Sequence, residues 1–143
     1  ADATFTGIDG EVSHAINAQA RLTVFGDYGR ATLDTADDNL PRIPPGRIGA
    51  RYEWAGGPFS ADLEYYRTFA QNRHASYETR TEGYDMLNAT LAYRVDMSRE
   101  RSVELYLRGT NLTNELAFVH TSFVKDQSPL RGLNLVFGIR HQF

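Results

Sequence analysis

Tyr84-Asp85-Met86-Leu87-Asn88-Ala89-Thr90-Leu91-Ala92-Tyr93-Arg94-Val95-Asp96, followed closely by Ser102-Val103-Glu104-Leu105-Tyr106-Leu107-Arg108-Gly109-Thr110, decides the architecture. Leu87, Ala89, Leu91, Tyr93 and Val95 fall on one parity, against Asn88, Thr90 and Arg94 on the other. Val103, Leu105 and Leu107 alternate in the same way with Glu104 and Arg108. Residues two apart share one face of an extended strand, so each run is a strand with one apolar and one polar face. The first run outlasts an average soluble strand of about five or six residues. It suits the roughly nine to eleven that a tilted membrane strand needs.

The same alternation extends in both directions. It predicts seven strands, at about 4–16, 19–31, 47–55, 58–69, 84–96, 102–112 and 132–143. The apolar parity carries Ile8, Val12 and Ile16; Leu22, Val24 and Tyr28; Ile48, Tyr52 and Trp54; Phe59, Leu63 and Tyr65; and Leu133, Leu135, Phe137 and Ile139. The polar parity carries Asp9, Glu11, Arg21, Asp27, Arg47, Arg51, Glu53, Asp62, Glu64, Asn134 and Arg140. Charges enter the apolar parity only near strand ends, as Arg30, Arg67 and Asp85. A lipid-facing Arg costs roughly 2–4 kcal/mol at the bilayer midplane and much less near the interface, so this placement fits a membrane-facing surface. Trp54, Phe59, Tyr93 and Phe143 fall at one end, as an aromatic girdle would.

The connections alternate in length. Tight turns at Asn17-Ala18 and Ala55-Gly56-Gly57-Pro58, and a short one from Met97 to Arg101, alternate with long segments. These are Thr32 to Gly46, with Asp34, Asp37 and Asp38; about Ala70 to Gly83; and Thr113 to Arg131. Short turns on one side and long loops on the other are the pattern of an outer-membrane barrel, and a soluble sandwich has no reason to lengthen every second connection. The expected fold is all-β, an antiparallel up-and-down meander spanning residues 1–143.

Composition bounds the rest. With 41% hydrophobic and 23% charged residues the chain is neither disordered nor a helical membrane protein. No apolar run approaches the roughly 18 residues of a transmembrane helix. A net charge of −3 without a Lys/Arg run points away from nucleic acid. The absence of Cys excludes disulfides and thiolate metal sites. Ala1-Asp2-Ala3 opens without a basic region or an apolar core, so a mature form or a fragment is expected rather than a signal peptide.

Gly83-Tyr84-Asp85-Met86-Leu87-Asn88, then Glu104-Leu105-Tyr106-Leu107-Arg108-Gly109-Thr110-Asn111-Leu112-Thr113-Asn114-Glu115, then a last alternating strand ending on Phe143, resembles the end of TonB-dependent outer-membrane receptors. His120-Thr121-Ser122-Phe123-Val124-Lys125-Asp126, Pro129-Leu130-Arg131-Gly132-Leu133-Asn134 and Leu40-Pro41-Arg42-Ile43-Pro44-Pro45 further resemble a subgroup that takes up zinc or haem. The resemblance implies that the chain is the C-terminal part of a 22-stranded transmembrane barrel in the bacterial outer membrane. It implies a plug domain and a TonB box N-terminal to this segment. The partners it implies are outer-membrane lipid, the plug, the remaining barrel strands and the TonB complex. Phe143, with Ile139 and Phe137, resembles the signal read by the barrel assembly machinery, which recognises an alternating strand edge. His141 departs from that pattern and reads as structural, an amphipathic ring at the interface. A passive porin-like or small structural barrel, and a soluble β-rich binding domain, are the alternative functions.

Candidate site residues are sparse. His74 and His120 lie in long loops that flank consecutive strands and therefore adjoin. With Glu78, Glu82 or Asp126 they form a candidate zinc site, since imidazole with carboxylate suits that ion. A haem ligand is the competing role for either His. Zinc or haem enters as transported cargo, and no resident cofactor is expected. Arg51, Glu53, Asp62 and Glu64 fall on neighbouring strands and suggest cross-strand pairs. Tyr66, Tyr77 and Tyr84 sit near the outer mouth, lining a path or anchoring strand ends. His120-Thr121-Ser122 places a hydroxyl near an imidazole without making a nucleophile–base pair, so an enzyme is not expected.

Overall fold

The computed structural model describes residues 2–33, 38–98, 101–122 and 127–142. Phe143, Asp126, Asp34 and Asp37 lie outside the described residues. The strands are β1 Ala3–Ala15, β2 Ala20–Leu33, β3 Asp38–Asn39, β4 Arg47–Gly56, β5 Phe59–Thr68, β6 Tyr84–Asp96, β7 Ser102–Thr110 and β8 Asn134–Gln142. They form one antiparallel sheet in the order β1-β2-β4-β5-β6-β7-β8, with the two-residue β3 paired to β2 alone. This is the predicted meander, with β3 added inside a segment that sequence alone reads as irregular. At about 3.3 Å per residue and a tilt near 45°, a ten-residue strand spans roughly 25 Å, the height of a membrane barrel's apolar band.

Register carries the two-faced pattern across the whole sheet. On the apolar face Val12 pairs with Val24, Val24 with Ala50, Ala50 with Tyr65 and Tyr65 with Leu87. Leu91 then pairs with Leu107, and Leu107 with Phe137. These side chains cover no core of their own: Ile8 is 73% exposed and Phe137 67%. So large a contiguous apolar surface requires another phase or partner to cover it. β1 and β8 are the edges of the sheet, and every residue of β1 is exposed.

The two ends of the sheet are built differently. At the turn end, Asn17 Oδ1 accepts hydrogen bonds from the amides of Gln19 (2.8 Å) and Ala20 (2.9 Å). Gly57 takes φ +58° before Pro58, whose ring holds φ near −65°, the sign pattern of a II′ hairpin turn. Trp54, Phe59 and Tyr93 of the expected aromatic girdle are found here. Phe59 and Tyr93 are directly paired with ring centroids 4.8 Å apart, and the Trp54 ring lies back over Gly56, where a Cβ would come within 2.6 Å of it. The long segments all emerge at the opposite end.

Candidate functional site

The polar face is a wall of cross-strand charge pairs. Arg51 donates to Glu64, directly opposite, at 2.6 and 2.9 Å. Asp27 and Arg47 pair at 2.8 Å, and Glu104 and Arg140 at 3.4 Å. Of the four residues expected to pair, Arg51 and Glu64 do. Glu53 and Asp62 face each other as like charges. Sequence reasoning missed the aromatic core of this wall. Phe25 lies beneath the guanidinium groups of both Arg47 (5.6 Å) and Arg51 (5.8 Å), and Arg47 also stands over Tyr66 at 5.5 Å. Gly49 makes this possible, because a Cβ there would sit 2.5 Å from Phe25 and 2.6 Å from Tyr66. Phe25 breaks the polar parity of β2, which is the signal that points to it.

At the loop end, three segments meet on one carboxylate. The β5–β6 segment folds back through paired backbone bonds between Gln71 and Thr81. Glu78 Oε2 accepts from the amide of Ala75 at 3.2 Å, within its own loop, and Oε1 accepts from the amide of Arg42 at 3.1 Å, from the β2–β4 loop. The β7–β8 loop contributes His120, whose Nε2 lies 3.7 Å from Glu78 Oε2. Nδ1 of His120 is 2.7 Å from Thr81 Oγ1. Two further bonds tie the first two loops, Asn39 Nδ2 to the His74 carbonyl (3.3 Å) and Gln71 Nε2 to the Ile43 carbonyl (2.8 Å).

The predicted proximity of these loops is therefore observed, and the histidines occupy different positions within the cluster. The His120 side chain is 1% exposed and engaged with Thr81 and Glu78. His74 is half-buried, with Nδ1 3.1 Å from the Ala75 carbonyl. Glu82 pairs with Arg80 at 3.3 Å on the exposed side. Among the described residues, no group of three or more His, Asp or Glu side chains is arranged to hold a metal ion. Of the mouth tyrosines, Tyr66 and Tyr84 meet edge-on with ring centroids 6.5 Å apart, and Tyr77 is exposed.

Asn111 organises the third loop. β7 ends at Thr110, so Asn111 and Leu112 lie in a turn rather than on the predicted strand. Asn111 takes φ +50°, a left-handed conformation that Asn tolerates better than most residues. Its amide donates to Asn88 Oδ1 (3.0 Å), its Oδ1 accepts from the Glu115 amide (2.8 Å), and its Nδ2 donates to the carbonyls of Glu115 (2.8 Å) and Arg131 (3.1 Å). Asn114, at φ +54°, accepts from the Leu133 amide at 3.0 Å. The Asn-Leu-x-Asn-Glu stretch is thus a clamp that fastens both ends of the β7–β8 loop to the sheet.

Two comparisons bear on this arrangement. The family model described as TonB dependent receptor-like, beta-barrel matches residues 1–112. A solved structure titled "Copper transporter OprC" superposes with a TM-score of 0.82 at 18% sequence identity, over 99% of this chain and 24% of that one. The chain therefore spans about a quarter of that structure's length.

Proposed function

The chain belongs to the TonB-dependent receptor-like β-barrel family, and from that premise we propose that it is the C-terminal wall of an energy-coupled receptor importing a scarce metal or metal chelate. The family is one of bacterial outer-membrane barrels whose members carry a plug domain and work with TonB. In this reading the apolar face meets outer-membrane lipid and the polar face lines the lumen against the plug. The loop end faces the exterior, and the N-terminal plug couples to TonB. β8, with exterior-facing Phe137 and Ile139, is the edge read by the assembly machinery, together with Phe143, which follows it in the sequence.

The observation that carries this reading is the family match over residues 1–112 on a sheet with one apolar and one charged face. The exposed apolar face argues against a soluble binding domain. The loop cluster is where cargo is first met, with His74 near its surface and His120 reached only when the loops part. Zinc, haem, a siderophore complex and copper are the cargoes to test.

The test is uptake by cells carrying or lacking the full-length receptor, starved for each labelled cargo in turn, with and without a proton uncoupler. Saturable uptake of one cargo that needs both receptor and proton gradient is expected. Uptake through the protein that ignores the uncoupler would replace this reading with a passive porin-like barrel.

A further inference from the structure

The apolar face carries one cationic feature beside the loop cluster. At its loop end a cleft of about 140 Å³ is lined by Tyr28, Arg30, Ile43, Gly46, Phe69 and Arg73, among others. Tyr28 and Arg30 stand on the exterior parity of β2, and Phe69 continues that parity beyond β5. Gly46 lies between the two rings. A Cβ there would fall 2.9 Å from Tyr28 and 3.6 Å from Phe69, so the glycine keeps this floor open. Arg73 reaches from the β5–β6 loop to the Tyr28 hydroxyl at 3.4 Å.

Charge sets this cleft apart. The neighbouring exterior cation, Arg67, is neutralised by Asp85, which also accepts from the Tyr65 hydroxyl at 2.6 Å. Asp27 is engaged by Arg47 on the other face, and Glu78 by the loop amides. Among the described residues no carboxylate pairs with Arg30 or Arg73. Two exposed guanidinium groups over an aromatic floor, at the edge of a lipid-facing surface, match the chemistry of a phosphate attached to acyl chains.

We propose that this cleft binds the phosphorylated headgroup of a lipid in the leaflet on the loop side. The phosphate is held between Arg30 and Arg73, and the acyl chains run down the apolar face past Tyr28 and Ile48. The inference rests on the membrane-barrel reading above.

The test uses the full-length receptor folded in detergent, with diphosphorylated lipid A and its dephosphorylated form as probes, and bound lipid counted by native mass spectrometry. The wild-type protein is expected to retain the diphosphorylated form roughly thirtyfold better, as two interfacial arginines would give. A double Arg30→Ala, Arg73→Ala variant is expected to lose that preference. Equal retention of both forms by the wild type overturns the proposal without any variant. A preference that survives the double substitution overturns it as well. Displacement of the lipid by millimolar inorganic phosphate, with no added affinity from acyl chains, assigns the cleft to free phosphate and overturns the lipid. Heat-modifiable migration of the wild-type receptor reports separately on the barrel, so failure of the barrel reading is distinguishable from failure of the headgroup site.

Discussion

Glu78 and His120, from two different loops, stand 3.7 Å apart while His120 holds Thr81 through its other ring nitrogen at 2.7 Å. This contact joins the β5–β6 and β7–β8 loops, and the Arg42 amide adds the β2–β4 loop to the same carboxylate. The Nδ1–Thr81 bond is buried and Nε2 faces the Glu78 carboxylate beyond hydrogen-bonding distance, so it is the loss of the Thr81 bond inside the cluster that costs about 1–3 kcal/mol.

His120→Ala in the full-length receptor should loosen the loops without weakening the barrel. Amide exchange over residues 71–81 is expected to accelerate roughly tenfold, as loss of about 1–3 kcal/mol of local stability implies, while the unfolding midpoint stays near wild type. Unchanged exchange would show that the loops are held by the Glu78–amide bonds alone.

Gly49 supports the stacked wall of Phe25, Arg47 and Tyr66, and a Cβ there would also meet the Tyr65 carbonyl at 2.7 Å. Gly49→Val is expected to cost about 1–3 kcal/mol through overpacking, read by denaturant unfolding of the folded barrel. Gly10, with no atom near its Cβ position, is the control, and Gly10→Ala should cost clearly less.

Leu63 and Thr90 lie on opposite faces of adjacent strands, Leu63 paired with Ala89 and Thr90 with Asp62. Leu63→Arg should cost roughly 2–4 kcal/mol, as a cation facing lipid near mid-strand. Thr90→Arg, set between Asp62 and Arg108 on the polar face, meets no lipid and should cost clearly less than Leu63→Arg. Refolding equilibria into bilayers measure both, and equal costs would contradict the assignment of the faces.

Asn111 is 2% exposed and makes five hydrogen bonds to four residues, three of them through its side chain. Asn111→Ala removes the side-chain bonds and leaves a non-glycine residue at positive φ, for an expected loss of about 3 kcal/mol. Asn111→Gly relieves the backbone alone and should recover only about 1 kcal/mol of it. Thermal unfolding of the full receptor distinguishes the two, and similar midpoints for Asn111→Ala and wild type would refute the clamp.

Much of the fold was legible because strand alternation is local. Leu87 through Val95 announce their face without knowledge of any neighbour, and a register slip of one residue would turn that face to the wrong side. The loop asymmetry and the girdle of Trp54, Phe59 and Tyr93 were legible for the same reason. The expectation of cross-strand pairs among Arg51, Glu53, Asp62 and Glu64 followed from strand adjacency and is met by Arg51 with Glu64, whereas the Phe25–Arg47 stack did not follow, because it depends on the space left by Gly49 on the next strand.

The candidate site was legible only as a neighbourhood. Sequence spacing placed the loops of His74 and His120 together, since both flank β6 and β7. It carried no information on which atoms meet. The Arg42 amide lies 36 residues from Glu78, and Thr81 lies 39 from His120. By itself, then, the sequence determined strands, faces, connection lengths and the end at which the loops gather, all of which depend on residues close in the chain. Only the tertiary structure decided that His120 is buried against Thr81 and Glu78, that Asn111 clamps the last loop, and that Arg30 and Arg73 share an exterior cleft. Irregular segments have no periodicity to set side-chain direction, so their contacts are decided by packing between distant parts of the chain.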